Sequence, residues 1–347
     1  MRLTRRRLTL AGIAVVAIGM ALVLARIAWA NVTVTTATGG SSISADNTGS
    51  ATWTTLGNIV ITENSNTDFS SGLGITLVLN VPSGFQFHAG TGSVSVASGF
   101  NLSAASISVT ASAATITYST SASNKGPDVM TISGLQVQPT AGTPLASGNI
   151  VSSCSSTGVI AGVTCNSTNF GTLTEVAGAI NKLSITSVNG GSNPTAGSTF
   201  PVVVKTTDQF GNPVNTGPAV GFSLSVVSGG GTLGGTTTGT IAAGTNNTTI
   251  NPSYTKAESG VVLRATQTSG SPPALGTGDS ASFTVNPGAA TKLVFTSSTA
   301  SVASGSTKTL TAAVEDANSN VVTSDNATVV VFSQTAGAGS APSKIRS

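Results

Sequence analysis

Sequence motifs in this chain recur with a period of about 108 residues, and this repeat limits the folds available to it. Lys-Leu-Ser-Ile at residues 182–185 returns as Lys-Leu-Val-Phe at residues 292–295, an offset of 110 residues. Asp-Gln-Phe-Gly-Asn-Pro-Val at residues 208–214 returns as Asp-Ala-Asn-Ser-Asn-Val-Val at residues 316–322, an offset of 108. One immunoglobulin (Ig)-type β-sandwich has about 100 residues, whereas solenoid repeats have roughly 20 to 50. We therefore predict an all-β chain of tandem, antiparallel Ig-like sandwiches.

The first 30 residues have the pattern of an export signal. Several arginines precede an uncharged run at residues 8–25, and small residues follow at Ala28 and Ala30, the two positions that a signal peptidase reads. We expect cleavage after Ala30, which places the mature protein at the cell surface or outside the cell. An uncleaved membrane anchor is the alternative, since about 18 apolar residues come near to spanning a bilayer. The basic start also loosely resembles a twin-arginine export signal.

The charge of the mature chain argues against nucleic acid as a partner. The full sequence has 14 Lys and Arg against 11 Asp and Glu, but five of the basic residues lie in the first 30. Their removal leaves nine against 11, a net charge of −2, with the nine cations scattered. Nucleic-acid binding needs clustered Lys or Arg that displace counterions from phosphates. We expect membrane contact only through the export signal.

The pattern of apolar residues after the signal is that of β-strands. Residues 31–176 alternate with period two, most clearly at Leu73, Ile75, Leu77, Leu79 and Val81, which we expect on one face of a strand. No stretch has the apolar spacing of a helix, so we expect almost no helix. Further strands are predicted at residues 59–62, 106–110, 115–118 and 129–132.

Two Gly- and Pro-containing joints, at residues 175–178 and 286–288, divide the chain. We predict a signal peptide at 1–30, an N-terminal β-sandwich at 31–177, an Ig-like sandwich at 178–286 and a second Ig-like repeat at 287–347. The last repeat is about half as long as its sibling, so we expect a truncated or frame-shifted product. The core-facing residues predicted in the middle unit are Val202, Val204, Phe222, Leu224, Val226, Val261, Leu263, Phe283 and Val285.

The chain has two cysteines, Cys154 and Cys165, which follow an export signal and lie in a stretch rich in Ser, Thr and Gly. We predict a disulfide between them, because an oxidising compartment favours such a pair. Metal binding is the weaker reading, since two thiols without a nearby His or further Cys fall short of the four ligands of a structural zinc site.

Three motifs mark the repeat: Lys-Leu at its start, Ala-Gly-Ser (196–198) or Ser-Gly-Ser (304–306) before a Val-rich strand, and Asp-x-x-Gly-Asn-Pro-Val at a hairpin. Together they resemble bacterial Ig-like repeats of the invasin and intimin type, over residues 179–285 and 290–332. The resemblance implies an Ig-like fold and a surface location, and it transfers no binding residue. Residues 31–176 lie outside it.

The hairpin motif specifies a turn. Gly211 can adopt a positive φ, Pro213 fixes φ, and Asp208 can accept hydrogen bonds from turn amides. The spacing Asp-x-Asn-x-Asn in the second copy also begins some calcium loops, but no Gly and distal Glu complete it, so we favour a turn and expect neither metal nor cofactor. The candidate turn residues are Asp208, Gly211, Asn212 and Pro213, and in the second copy Asp316, Asn318 and Asn320.

Groups suited to catalysis are sparse. His88 is the one histidine, and without a Gly-x-Ser-x-Gly elbow we interpret it as a surface or packing residue. The acid pairs 63/68 and 315/316 are close in sequence, but neighbouring strand residues point to opposite faces, so we do not expect a glycosidase site. Residues 229–235 are Gly-rich but lack the Lys and helix of a phosphate loop, which favours a flexible loop or an irregular edge. We predict that the protein is not an enzyme.

These observations favour an exported bacterial cell-surface or secreted structural or adhesion protein. Its partner would be a host or neighbouring-cell surface protein or an extracellular polysaccharide. One alternative is a non-catalytic accessory region of an extracellular enzyme, either a spacer or a carbohydrate-binding module; exposed aromatics such as Trp53 are few, which weakens the latter. Another is a surface-layer or matrix component that self-associates through strand edges.

Overall fold

The structure, a computed structural model, describes residues 31–97, 100–121, 125–270, 274–298 and 300–331. The predicted signal peptide and the last residues of the third repeat lie outside these ranges. The described chain is almost entirely β, with two 3-10 helices of three residues each, so the all-β prediction is confirmed. Two compact units meet between Gly178 and Ala179. Within the described ranges, no helix is both long and apolar enough to span a membrane.

The first unit contains three sheets. Their strand orders are β1-β4-β10-β7, β3-β11-β6 and β2-β13-β12-β5-β9-β8. All pairs are antiparallel except β2 with β13. The strands are β1 (Thr33–Thr35), β2 (Ile43–Ser44), β3 (Thr54–Thr55), β4 (Ile59–Thr62), β5 (Gly72–Asn80), β6 (Phe85–Phe87), β7 (Ser93–Val96), β8 (Leu102–Val109), β9 (Ala113–Thr120), β10 (Val129–Ser133), β11 (Gln136–Pro139), β12 (Ser147–Ser152) and β13 (Asn169–Val176), and the 3-10 helix is Ala45–Asn47.

The core of the first unit is formed by alternate residues of these strands. In β4 and β9, every second side chain is buried and those between are half-buried, as expected for strands with one face toward the core. Large apolar side chains from all three sheets meet in this core, among them Ile59, Ile61, Leu77, Leu79, Phe87, Ile116, Tyr118, Met130, Val137 and Phe170.

The prediction that Leu73 lies on the same strand face as Leu77 and Leu79 is wrong. Leu77 and Leu79 are buried, but Leu73 is 89% exposed. The pairing of β5 with β9 shifts register between Gly72 and Ile75, and Gly74 within this irregularity has a φ of +61°. A β-bulge inserts extra residues into one strand and changes which face the following side chains occupy. The apolar alternation therefore points inward only beyond the bulge, because Gly74 provides the backbone conformation that breaks it.

This difference between Leu73 and Leu77 can be measured. We expect Leu73→Ser to change the free energy of unfolding by less than about 0.5 kcal/mol, because the side chain is in solvent. Leu77→Ala should cost about 2–5 kcal/mol, because it leaves a cavity in the core. Urea unfolding of the two variants beside the unaltered chain provides the comparison, and a Leu73→Ser loss as large as that of Leu77→Ala would contradict the bulge.

A disulfide joins Cys154 and Cys165 in the long connection between β12 and β13. The same connection lies beside β5, where the Ser153 and Gly158 amides donate to the carbonyls of Val78 and Thr76. The predicted pairing is therefore present. Closing this loop removes conformational freedom from the unfolded chain, which stabilises the folded state.

The second unit has its own sheets. They are β14-β15-β19; β18-β16-β21-β22, with β23 also on β21; and two sheets of two strands each, β17-β20 and β24-β25. The strands are β14 (Lys182–Val188), β15 (Val202–Thr207), β16 (Val220–Ser228), β17 (Leu233–Gly235), β18 (Thr238–Ile241), β19 (Asn247–Ile250), β20 (Pro252–Tyr254), β21 (Glu258–Ser269), β22 (Gly278–Asp279), β23 (Phe283–Val285), β24 (Lys292–Phe295) and β25 (Ala312–Glu315), and the 3-10 helix is Asn189–Gly191.

The core of the second unit uses the predicted side chains of the first repeat copy. Of the predicted set, Val202, Val204, Phe222, Leu224, Val261, Leu263 and Val285 are buried, and Val226 and Phe283 pack against them. The second copy differs. In β24, Leu293, Val294 and Phe295 are 48%, 36% and 50% exposed. The described part of that copy therefore forms a hairpin whose apolar residues stay largely in solvent.

Candidate functional site: a turn docked on the first repeat copy

The predicted turn at residues 208–213 is built around one buried carboxylate. Asp208 Oδ1 accepts hydrogen bonds from the backbone N–H groups of Phe210 and Asn212, both at 2.9 Å. Asn212 Nδ2 donates to Asp208 Oδ2 at 2.8 Å. Pro213 follows and bridges to Thr207 at the end of β15. The carboxylate thus closes the turn by satisfying amides that would otherwise lack partners.

The second copy repeats this arrangement. Asp316 Oδ1 accepts from the N–H groups of Asn318 at 2.8 Å and Asn320 at 2.9 Å. Asn320 Nδ2 donates to Asp316 Oδ2 at 2.8 Å. The two turns differ at one position of positive φ, which Gly211 occupies at +94° and Ser319 at +66°. An L-residue with a side chain is strained there, so the second turn keeps its geometry against a small cost.

The turn of the second copy, residues 316–320, docks on the first copy. Asn320 Nδ2 donates to the Thr255 carbonyl at 2.9 Å, and Asn320 Oδ1 accepts from the Ala257 N–H at 2.7 Å. One amide side chain therefore occupies both a donor and an acceptor of the same extended segment. This is the two-point bonding that a neighbouring strand would make.

Two glycines allow the turn to approach closely. The Gly288 N–H donates to Asp316 Oδ2 at 2.8 Å. At Gly197, which has a φ of +78°, an added Cβ would lie 2.5 Å from Asn318 Nδ2. Any larger residue at Gly197 would both strain the backbone and displace the turn. Gly197 belongs to the Ala-Gly-Ser motif of the repeat, so this motif contributes directly to the docking surface.

The docked turn is electrostatically satisfied. Burial alone would raise the pKa of Asp316, but hydrogen bonds from the Asn320 side chain and from the N–H groups of Asn320, Gly288 and Asn318 hold the pKa below its usual value. Hydrogen bonds to the charged form of a carboxyl group favour that form. The carboxylate therefore stays ionised at neutral pH, and the docked turn needs no counterion from a Lys or Arg.

We expect Asn320→Ala to loosen this contact. The variant removes both bonds to Thr255 and Ala257, so the amide exchange rates of Ala257 and Gly288 should rise about tenfold or more. Each lost bond leaves a partly buried backbone group without its partner, which costs on the order of 1 kcal/mol. Hydrogen–deuterium exchange on the full chain measures the effect, with Asn326→Ala, an exposed position nearby, as the matched control. Equal exchange at Ala257 in the variant and the unaltered chain would contradict the docking role of Asn320.

The segment that receives the turn also contacts the Gly-rich stretch at residues 229–235. Tyr254 donates its O–H to Glu258 Oε1 at 2.6 Å, and the Gly231 N–H donates to the Tyr254 hydroxyl oxygen at 2.8 Å. The Gly230 N–H donates to Glu258 Oε1 at 2.7 Å. Lys256 Nζ lies 2.8 Å from Glu258 Oε2. The Gly-rich stretch 229–235 is thus tied at one end to this segment, and its other end forms the short strand β17.

These contacts shift two pKa values. Hydrogen bonds from Lys256 and Tyr254 lower the pKa of Glu258 to about 2. Burial, together with the hydrogen bond to Glu258, raises the pKa of Tyr254 to about 12. Both shifts favour the observed pair, a neutral phenol donating to a charged carboxylate.

The lowered pKa of Glu258 predicts a loss of stability in acid. Because the folded-state pKa lies below the ordinary value of 4.5, the carboxylate's contribution is complete above that pH and is lost as the pH falls toward about 2. Glu258→Gln should therefore flatten the fall in unfolding midpoint over this acid range. Thermal unfolding between about pH 5 and pH 2 measures the slope. An unchanged slope in the variant would show that Glu258 is not stabilised in this way.

The histidine is a packing residue in this structure. The His88 and Trp53 rings stack with centroids 4.2 Å apart and planes 7° apart. His88 Nδ1 lies 2.7 Å from Gln136 Oε1. One face of the Trp53 indole is therefore covered by His88, which leaves only the opposite face for stacking on a sugar.

Three further features bear on catalysis and on metal binding. Glu315 lies 3.5 Å from Lys292, so it pairs with a cation and not with its neighbour Asp316. A groove of about 460 Å³ is lined by the end of β14, by residues 190–193 and by residues 280–283, and none of these lining residues is charged. Within the described ranges, no three or more His, Cys, Asp or Glu side chains are grouped so that they could hold a metal ion.

The sequence pattern singles out the turn residues but not the surface on which the turn docks. Thr255, Ala257 and Gly288 bond to the turn mainly through backbone atoms, which no residue type announces in a sequence. The one available signal was Gly197, a glycine at a fixed place in the repeat. Tyr254 and Glu258 were also missed, although their spacing of four residues is visible.

Comparison with known proteins assigns the chain to no family. No protein-family model matches the chain, and neither does any curated protein sequence. Among solved structures, the chain is similar to FdeC, described as a broadly conserved Escherichia coli adhesin. The match has a TM-score of 0.29 and 18% sequence identity, and it covers 90% of this chain and 81% of the adhesin chain. A likeness this distant assigns neither a family nor a function.

Proposed function

We propose that this chain is an exported bacterial structural or adhesion protein whose Ig-like modules act as a spacer at the cell surface or outside the cell. The module boundaries of the proposal are residues 1–30 for the signal peptide, 31–177 for the first sandwich, 178–286 for the second and 287–347 for the third. The observation that carries the proposal is the docked turn, since it fixes one repeat copy against the preceding one.

A spacer needs modules whose relative placement is held by contacts and not by a flexible linker alone. Asn320 and Asp316 supply such contacts to Thr255, Ala257 and Gly288. The linker between the copies is short, because Val285 ends β23 and Lys292 begins β24. The repeat motifs that specify the turn thus also specify a joint, which supports a structural role for the tandem arrangement.

The disulfide agrees with a location at the cell surface or outside the cell. A disulfide in a chain with two cysteines is typical of proteins that fold in an oxidising compartment. The resemblance to invasin and intimin repeats supports the same location. As partners we propose a surface protein of a host or neighbouring cell, or an extracellular polysaccharide.

Export is the part of this proposal that one experiment can test. The full chain carrying a C-terminal epitope should lose residues 1–30, begin at Asn31 by mass spectrometry, and be cleaved by protease added to intact bacteria. Ala28→Asp is the matched control, since a charged residue at a position read by the signal peptidase should leave the precursor uncut. Retention of the unaltered chain inside the cell with Met1 in place would overturn the proposal.

A further inference from the structure

Glu63 and Asp128 of the first unit are buried together where β4 ends and β10 begins, and Asp68 is a further buried acid of the same unit. Glu63, Asp68 and Asp128 are 2%, 1% and 0% exposed. Asp128 precedes β10 and Glu63 follows β4, and because these strands pair, the Glu63 N–H donates to the Asp128 carbonyl at 2.9 Å. Buried carboxylates without a compensating charge are costly, so the structure must provide something that neutralises them.

Among the described residues, no basic side chain does so. Residues 31–178 contain five Asp and Glu and one Lys or Arg, Lys125, whose side chain is exposed. None of the salt bridges between described residues involves a carboxylate of this unit. Compensation for the buried acids therefore has to come from hydrogen bonds donated by the chain, from a bound proton or from a cation that is not part of the chain.

Part of the bonding capacity of these acids is used by backbone amides. Asp128 Oδ1 accepts from the N–H groups of Asn101 at 3.0 Å and Leu102 at 3.1 Å. Glu63 Oε1 accepts from Phe69 N–H at 3.0 Å, and Glu63 Oε2 accepts from Asp128 N–H at 2.8 Å. These bonds hold both carboxylates in fixed positions, as the side chains of a preformed binding site are held.

The remaining acceptor capacity of these acids is unused among the described residues. Asp128 Oδ2 is buried and has no hydrogen-bond partner among the described residues, and the same is true of Asp68 Oδ1. The side chains of Asp128 and Glu63 lie close enough to interact directly. Two acceptor groups thus face each other without a hydrogen bond donor from the chain between them.

An amide oxygen converges on the same place. A Cβ added to Gly126 would lie 3.0 Å from Asn66 Oδ1 and 3.2 Å from Glu63 Oε2, so a side chain at position 126 would enter the space that these oxygens border. The Asn101 Nδ2 group donates to the Asn66 carbonyl at 3.4 Å, which ties the Asn66 loop to the segment that caps Asp128.

We propose that Glu63, Asp128 and Asn66 bind a calcium ion in the first unit. The donor set consists of oxygen atoms only: two carboxylates and a side-chain amide, to which waters and backbone carbonyls can add. Calcium accepts six to eight such ligands in flexible geometry, whereas magnesium demands a nearly ideal octahedron. Zinc is disfavoured, because His88 stacks on Trp53 and both cysteines are in the disulfide.

The site differs from the calcium loop considered from the sequence. Both carboxylate oxygens of Asp316 accept hydrogen bonds from backbone N–H groups of its own turn or of Gly288. Asp128 and Glu63 instead leave acceptor atoms facing each other. The inference is also independent of the proposed surface function, since it concerns the fold of the first unit alone.

Thermal unfolding of the mature chain tests the proposal. Extracellular calcium modules have dissociation constants on the order of 0.1–1 mM. At about 10 mM calcium, the midpoint of the first unit should therefore rise by about 3–10 °C relative to EDTA, and magnesium should raise it less. Isothermal titration calorimetry with calcium chloride should give one ion per chain.

The Asp128→Asn variant separates a cation from a bound proton. The Asn side-chain oxygen can still accept from Asn101 and Leu102, while its NH₂ group can donate to Glu63. We expect this variant to be at least as stable as the unaltered chain in EDTA and to lose the response to calcium. Asp46→Asn, a partly exposed acid of the same unit, should keep the response.

Two results would overturn the calcium site. One is an unaltered chain whose midpoint and titration heat do not respond to calcium, which would mean that a shared proton neutralises the acids. The other is an Asp128→Asn variant that folds and responds to calcium as the unaltered chain does.

Discussion

Carboxylates that accept backbone N–H groups hold the loops of this chain, and the rest of the structure depends on them. At least eight of the 11 Asp and Glu residues accept a backbone N–H: Glu63, Asp68, Asp128, Glu175, Asp208, Glu258, Asp316 and Asp325. Such charge-assisted bonds are roughly twice as strong as neutral ones. A chain that is 7% charged therefore uses its acids mainly to fix the connections between strands.

This use of acids links the fold to the docked turn. Asp316 organises the turn through its own amides, and the ordered turn then presents Asn320 to Thr255 and Ala257. The docking contact would be costly to form from a flexible loop, because the ordering entropy would be lost at the moment of contact. Because the turn motif orders the loop beforehand, it lowers the entropy cost of forming the joint between the repeat copies.

Local features were predictable from the sequence and distant contacts were not. The Cys154–Cys165 disulfide followed from the absence of other partners, and the all-β fold followed from the apolar alternation. Leu73 was misplaced because a single residue, Gly74, permits a bulge that the alternation cannot reveal. Asn320 meets Ala257 across 63 residues and Glu63 meets Asp128 across 65, and nothing in a single sequence reports which separated polar residues will share a loop cluster.

The docked turn also determines how tension would pass along the chain. A pull on the residues after Val322 reaches the first repeat copy by two routes: through the covalent linker at residues 286–291, and through the bonds of Asn320 and Asp316 to Thr255, Ala257 and Gly288. The second route consists of hydrogen bonds, which break and form again far more readily than the covalent linker. The turn thus works as a reversible latch, which can yield under force and close again while both strands of the β24–β25 hairpin remain paired.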